Sequence, residues 1–190
     1  MPLKAHQGTP IPVNAHAMFA AAIAPGPPGA AANPLTVTYA QQQQTNWCWA
    51  ACCEMVFHHA GVNTTVTQCD MASAEFGGPC CSTPGSAQCN LGNWPQSAYT
   101  RFNFGFNFQQ RSLSFAEVQA EINANRPVEI YYAWTGGTSA HVALIVGYYA
   151  NGDVEVYDPW PSYGPGRRAF SYVQNAYNMG AWTMSYTNLR

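Results

Sequence analysis

The chain has 190 residues, of which 47% are hydrophobic and 14% aromatic, a composition typical of a globular protein. Only 8% of the residues are charged and the net charge is −2, so neither a basic patch for nucleic acid nor an acidic tail is indicated. No stretch reaches 18 apolar residues, and the sequence therefore predicts no membrane span.

The first part of the chain has a different composition from the rest. Residues 1–35 are rich in Ala, Pro and Gly and include PGPPGAAANPL, which is typical of a linker. We expect a flexible extension there, either a tail or a propeptide, followed by one domain over residues 36–190. The apolar stretch AMFAAAIA at 17–24 is short and lacks a basic n-region beyond Lys4, so it is not a good signal peptide.

After LTVTYA at 35–40, which predicts a short strand, comes a helix over 48–60 that Gly61 ends. Cys48 is its first residue and follows the polar run QQQQTN and a tryptophan. At a helix N-terminus the dipole and the free backbone N–H groups favour the thiolate, which is the nucleophilic form of cysteine. The alternative is a buried cysteine with a structural role.

Seven cysteines are present, at positions 48, 52, 53, 69, 80, 81 and 89. If Cys48 is a free nucleophile, the remaining six can form three bridges. Their clustering predicts a disulfide-stapled loop region, and hence an oxidising compartment. Cys52, one helical turn after Cys48, is alternatively a buried free thiol. Zinc is a rival interpretation of the cluster, disfavoured because there is no CxxC pair and no nearby His-x-His arrangement.

The second half of the chain is predicted to be rich in strands. Ser114 and Glu117 form a capping box that begins a second helix over 114–125. Strands are predicted at 102–110, 127–134, 141–149, 154–158, 169–173 and 182–187. Because the helices come first and the antiparallel strands later, the sequence predicts an α+β domain with segregated layers.

His141 and Asp158 occupy related places in the predicted hairpin. His141 begins its first strand, Asp158 ends its second strand, and Asn151-Gly152 supplies the turn. The outer ends of two antiparallel strands meet, so the two side chains should lie close together. A carboxylate beside an imidazole orients the ring and stabilises its protonated form, and a nucleophilic cysteine then needs only to face the other ring nitrogen. Alternatively, His141 is a solvated strand-edge residue and Asp158-Pro159 an ordinary turn.

With these positions in place, the chain resembles the papain-like cysteine peptidases, most closely the C39-like and AvrRpt2/staphopain-type branches. The matching segments are QQTNWCWAAC (43–52), RPVEIYYAW (126–134), HVALIVGYY (141–149) and VYDPW (156–160). The resemblance spans about residues 38–187. It implies a papain-like fold, in which a helical part with the nucleophile at a helix start packs on a C-terminal antiparallel sheet or half-barrel.

The resemblance also implies roles for individual residues. Cys48 would be the nucleophile, His141 the general base and acid, and Asp158 the residue that orients His141, where many relatives have Asn. Gln42, six residues before Cys48, would donate to the oxyanion together with the Cys48 backbone N–H, and Gln43 is the runner-up. Trp160 would shield the His141–Asp158 hydrogen bond from water, or else simply pack in the core.

The expected function is that of a secreted or delivered thiol endopeptidase, which hydrolyses peptide bonds through an acyl-enzyme. We expect a monomer that acts on a protein or peptide substrate and uses no cofactor, metal, nucleic acid or membrane. The departures from papain are a shorter domain, a different cysteine arrangement and the absence of C-G-S-C-W. Two alternatives stay open: an acyltransferase or transglutaminase-like toxin with the same triad, and a non-catalytic, disulfide-stapled binding module.

Overall fold

A computed structural model describes residues 34–137 and 139–190. The apolar stretch at 17–24 lies outside these residues. The predicted extension over residues 1–35 also lies outside them, except for its last two positions. The helices are α1 (Cys48–Ala60), α2 (Gln68–Phe76), α3 (Pro95–Arg101), α4 (Phe115–Asn123) and α5 (Phe170–Gln174), with a 3₁₀ turn at Ala176–Asn178.

The strands form one six-stranded antiparallel sheet in the order β1-β6-β2-β3-β4-β5. Their bounds are β1 (Asn107–Gln109), β2 (Val128–Trp134), β3 (Ala140–Tyr148), β4 (Asp153–Asp158), β5 (Gly164–Ala169) and β6 (Gly180–Thr187). The central strands β2 and β3 are buried along most of their length, because helices α1 and α4 pack on the sheet. No helix in the described part of the chain is long and apolar enough to span a membrane.

The predicted α+β class with an antiparallel sheet is confirmed, although the helices do not all precede the strands, because α4 follows β1 and α5 lies between β5 and β6. Helix α1 begins and ends where the sequence placed it, and Gly61 ends it in the left-handed conformation at φ +71°. Helix α1 is buried on several faces because its residues 50–53, Ala-Ala-Cys-Cys, are small enough for close packing on β3 and the neighbouring helices. The capping box of Ser114 and Glu117 begins α4 as predicted.

Three strand predictions are wrong in type or extent. Residues 35–40 are not a strand, although the Leu35 N–H donates to the Val146 carbonyl of β3 over 2.8 Å. The strand predicted at 102–110 shrinks to β1, because Phe102 caps α3 and the Phe104 N–H still bonds to Tyr99.

The strand predicted at 169–173 is instead the end of β5 followed by α5. The Gly- and Pro-rich segment before it, GPGRRA, forms β5 at the edge of the sheet. An edge strand tolerates a proline because one side of it needs no N–H donor. Two further helices were not predicted: α2, which the Thr67–Asp70 capping box could have indicated, and α3, which has Pro95 at its first position.

Candidate active site

Cys48 is the first residue of α1 and its side chain is half-buried. Trp47 occupies the N-cap position before the helix, but its side chain makes no capping hydrogen bond. The backbone N–H groups of the first turn have no hydrogen-bond acceptor within the helix, so they point out of its N-terminal end. The sulfur of Cys48 and the N–H groups of this turn therefore lie at the same end of α1.

The loop at 77–94, which carries three of the cysteines and follows α2, contacts this end of the helix. The indole N–H groups of Trp47 and Trp49, which flank Cys48, donate to the carbonyls of Cys89 and Leu91 over 2.8 and 3.2 Å. Asn90, between them, accepts from the backbone N–H of Asn46 over 3.0 Å, and its own amide donates to the Thr45 hydroxyl. The loop that contains the cysteines thus fixes the segment that carries Cys48.

The predicted proximity of His141 and Asp158 is seen in the structure. Nε2 of His141 lies 2.7 Å from Oδ1 of Asp158, and both side chains are buried. The hairpin of β3 and β4 brings them together, with Gly152 in the turn at φ +90°. Since Nε2 faces the carboxylate, Nδ1 is the nitrogen left for another partner.

The partner on that side is Cys48, whose side chain lies close enough to His141 to contribute to its raised pKa. Burial of the imidazole opposes its charge, but the charge and hydrogen bond of Asp158, with a contribution from Cys48, outweigh burial and raise the pKa of His141 to about 10. The geometry therefore favours a protonated imidazole between the thiol and the carboxylate at neutral pH. Three residues from α1, β3 and β4 form one connected row.

Aromatic rings enclose the imidazole on several sides. Trp134 lies nearly parallel to the ring of His141 at 6.0 Å between centroids, and Tyr132 does so at 6.4 Å. Trp160 meets the same ring edge-on at 6.5 Å, and its backbone N–H donates to Oδ1 of Asp158 over 2.9 Å. These rings limit the access of water to the His141–Asp158 hydrogen bond.

Asp158 has a further partner that sequence reasoning missed. The Tyr177 hydroxyl donates to its second oxygen, Oδ2, over 2.9 Å. No sequence signal marks Tyr177, which stands in an irregular turn 19 residues after Asp158.

Gln42 and Gln43 differ in their environment. The side chain of Gln42 is buried, and its Nε2 donates to the carbonyls of Gln44 and Thr45 over 2.9 and 3.0 Å. Gln43 is exposed, and its backbone N–H donates to the side chain of Gln68. Both hydrogens of the Gln42 amide are thus engaged by the loop before α1. An oxyanion would have to share or replace one of these bonds, and the oxyanion role of Gln42 stays a prediction.

A cavity of about 280 Å³ lies beside this loop. It is lined by residues 41–45 together with Trp160 and Pro161. No residue of this lining carries a charge. The cavity extends from the loop before Cys48 to Trp160, which contacts His141.

The cysteines pair differently from the three-bridge expectation, which is wrong. Cys69 bonds to Cys81 and Cys80 to Cys89, with Cα–Cα distances of 4.8 and 5.3 Å. Cys48, Cys52 and Cys53 are free thiols, as in the alternative that left Cys52 unpaired. Cys52 and Cys53 are fully buried residues of α1, and the Cys53 thiol donates to the Pro95 carbonyl over 3.8 Å. Within the described residues, the one group with metal-ligand spacing is Cys69, Asp70 and Cys81, whose two sulfurs are joined to each other.

This arrangement predicts the outcome of thiol mapping on the non-reduced protein. In the folded state we expect a thiol reagent to modify Cys48 alone, because Cys52 and Cys53 have no exposed surface. In denaturant three thiols should react, and peptide mass spectrometry should find the other four cysteines linked as two bridges. Seven reactive thiols in denaturant, for protein isolated without reductant, would contradict the pairing.

Comparison with known proteins agrees with this geometry. The model of the Peptidase_C39 like family matches residues 34–187. The peptidase domain of Streptococcus ComA, described as a bifunctional ABC transporter involved in a quorum sensing pathway, aligns with a TM-score of 0.56 and 15% identity, over 82% of this chain and 96% of that domain. A C39-like peptidase from Bacillus anthracis aligns with a TM-score of 0.56 and 17% identity, over 82% of this chain and 97% of the other. None of the curated proteins compared with the chain matches it. The papain-like prediction is confirmed, whereas the AvrRpt2/staphopain-type branch stays a prediction.

Proposed function

The chain belongs to the Peptidase C39-like family and is a cysteine peptidase, and we propose that Cys48, His141 and Asp158 are the triad with which it hydrolyses peptide bonds. The observation that supports this assignment is the position of His141, which contacts the Cys48 side chain and holds Asp158 over 2.7 Å. A thiol, an imidazole and a carboxylate in one row are the groups that nucleophilic acyl transfer requires.

In the first half of the reaction, the Cys48 thiolate attacks the carbonyl carbon of the scissile peptide bond. The carbonyl electrons move to the oxygen, and the helix-start N–H of Cys48 lies at the end of α1 that faces this charge. The tetrahedral intermediate collapses when the C–N bond breaks and His141 gives its Nδ1 proton to the leaving amine. The acyl group then remains on Cys48 as a thioester.

In the second half, water attacks the thioester while His141 takes up its proton. The C–S bond breaks, the carboxylic acid product leaves, and the thiolate–imidazolium pair is restored. Asp158 keeps the ring in one orientation throughout, because its Oδ1 accepts from both His141 and the Trp160 backbone. Gln42 is our candidate for the second oxyanion donor, since its amide is buried beside the cavity that leads to Trp160.

We place the substrate, a protein or peptide, along the uncharged surface formed by this cavity and the aromatic rings around His141.

We place the enzyme outside the cell, or inside a host or competitor cell to which it is delivered. The two disulfides at 69–89 support an oxidising compartment at some stage of its life. Seven reduced cysteines in protein taken from its native compartment would contradict that placement.

The test combines peptide hydrolysis with active-site labelling. A library of fluorogenic peptides is screened with the intact protein, and an epoxide-type inhibitor of thiol peptidases is mapped by mass spectrometry. We expect hydrolysis that the inhibitor abolishes in proportion to modification of Cys48. Transfer of the acyl group to an added amine in preference to water would favour an acyltransferase. No hydrolysis and no labelling of Cys48 would favour a binding module, and either result would overturn the proposal.

A further inference from the structure

The carboxylate of Asp158 is held by three donors from three different places in the chain. Oδ1 accepts from His141 Nε2 and from the Trp160 backbone N–H, and Oδ2 accepts from the Tyr177 hydroxyl over 2.9 Å. Trp160 is two residues away and restrains only the oxygen that His141 already holds. Tyr177 is the one described side chain other than His141 that hydrogen-bonds to this carboxylate.

The backbone that presents Tyr177 is unusual. Ala176, Tyr177 and Asn178 have consecutive positive φ angles of 43°, 59° and 65°. Residues other than glycine adopt the left-handed conformation at a cost in conformational energy, and they do so singly far more often than in succession. Such a turn persists only where the surrounding structure stabilises it.

The surrounding structure binds this turn at its C-terminal end. The Met179 carbonyl accepts from the Thr135 N–H over 2.8 Å, which ties the turn to the end of β2. Gly180 follows, and a Cβ atom there would collide with the carbonyl of Ala133. The glycine thus permits the close approach that anchors the turn to the strand preceding His141.

The ring of Tyr177 is fixed as firmly as its backbone. It is 1% exposed and lies among three other tyrosines. Tyr163 stacks on it at 5.1 Å, while Tyr132 and Tyr172 contact it at 5.1 and 5.3 Å between centroids. This packing directs the Tyr177 hydroxyl at Oδ2 of Asp158.

We propose that Tyr177 is a positioning residue for the reaction, which fixes the Asp158 carboxylate through Oδ2 so that Oδ1 stays directed at His141. This inference rests on the proposed function, because Asp158 must orient the catalytic imidazole for Tyr177 to matter. Tyr177 does not line the cavity beside the loop before Cys48, and it packs on one of the rings around His141, Tyr132, through its own ring, which a phenylalanine would keep. It should affect the rate of the chemical step and leave substrate binding unchanged.

The first test replaces Tyr177 with phenylalanine, which removes only the hydroxyl. We expect kcat to fall by roughly 10- to 100-fold, the effect of losing a hydrogen bond to a charged group, with KM changed by less than about twofold. Tyr172→Phe is the matched control. The Tyr172 ring also packs on Tyr177, but its hydroxyl is buried without a hydrogen-bond partner, so kcat should stay within about twofold of the parent. All variants are assayed at a temperature at which circular dichroism shows them folded.

The second test asks whether Tyr177 acts through Asp158. Tyr177→Phe is combined with Asp158→Ala, and we expect it to change kcat by less than about twofold in that background. The positioning role would be overturned if Tyr177→Phe lowered kcat 10-fold or more in both backgrounds, or if Tyr172→Phe lowered kcat as much as Tyr177→Phe does. It would also be overturned if Tyr177→Phe had the kcat of the parent or failed to fold. An inactive parent protein would instead refute the proposed function, so the two failures are distinguishable.

Discussion

Replacement of Cys48 with alanine is expected to lower kcat/KM for peptide hydrolysis by more than about 1,000-fold, because the other free thiols of the described residues, Cys52 and Cys53, are fully buried and out of reach of a substrate carbonyl. His141 and Asp158 would remain in place, yet an imidazole without a thiol has nothing to activate except water. The fold should persist, since alanine is a good residue for the first turn of a helix and the Cys48 side chain is half-buried rather than enclosed. Steady-state kinetics and thermal unfolding of the two proteins measure both expectations.

The matched control is Cys52→Ala, in the same helix one turn further on. Cys52 is fully buried, so its replacement should lower the melting temperature while hydrolysis is retained. A Cys48→Ala protein that keeps more than about a thousandth of the parent rate would show that another nucleophile operates. Equal losses in the two variants would show that the helix, rather than the Cys48 thiol, is what hydrolysis needs.

The parts of the site that were predictable from sequence depend on local rules. The helix that begins at Cys48 follows from an apolar run ended by Gly61, and the hairpin from a turn at Asn151-Gly152 between two strands. Once the turn is fixed, antiparallel pairing brings His141 and Asp158 to the same edge. These inferences need no knowledge of distant contacts.

The parts that were missed depend on tertiary packing. Tyr177 reaches Asp158 through a left-handed turn that the propensities of Ala and Tyr oppose, and only the contacts around it explain the turn. Glu129 lies in β2, and nothing in its local sequence indicates its environment. It is fully buried, where burial raises its pKa well above its usual range and the Tyr99 hydroxyl donates to it over 2.8 Å.

The disulfide pairing was beyond sequence reasoning for a similar reason. Six cysteines permit many pairings, and which thiols meet is decided by where α1 holds two of them. Nothing in the sequence indicates that the stapled loop contacts the residues on either side of Cys48. In the structure, the hydrogen bonds from Trp47 and Trp49 to that loop make its bridges part of the support for Cys48.

Replacement of Asp158 should separate orientation from charge. In Asp158→Ala the imidazole loses its acceptor, and we expect kcat/KM at neutral pH to fall by about 100-fold or more, as for other misplaced catalytic groups. In Asp158→Asn, the amide oxygen can take the place of Oδ1 and accept from His141 and the Trp160 N–H. Its NH₂ group then takes the place of Oδ2, where the Tyr177 hydroxyl can turn and accept. We therefore expect the asparagine variant to lose no more than about tenfold.

Both variants should nevertheless change the pH profile in the same direction. The pKa of His141 is raised from 6.5 to about 10; burial opposes this rise, while the Asp158 charge and hydrogen bond and, to a smaller extent, Cys48 support it. Activity that needs the imidazolium should then persist in alkaline solution and decline as the pH approaches 10. Without the carboxylate charge, burial of the imidazole lowers the pKa of His141 with less opposition. The alkaline limb of kcat/KM should therefore move to lower pH in Asp158→Asn and Asp158→Ala alike.

The same shift in pKa has a consequence for stability. The pKa of His141 in the folded protein lies above its unfolded value of 6.5. The interaction of protonated His141 with Asp158 therefore stabilises the fold fully below about pH 6.5, and this stabilisation is lost as the pH rises to about 10. Parent protein should thus lose stability across that interval, and both Asp158 variants should lose less. Kinetics from pH 5 to 10 and unfolding at the same pH values provide the measurement. Alanine and asparagine variants that match each other in kcat, with an unmoved alkaline limb, would make Asp158 a turn residue rather than the partner of His141.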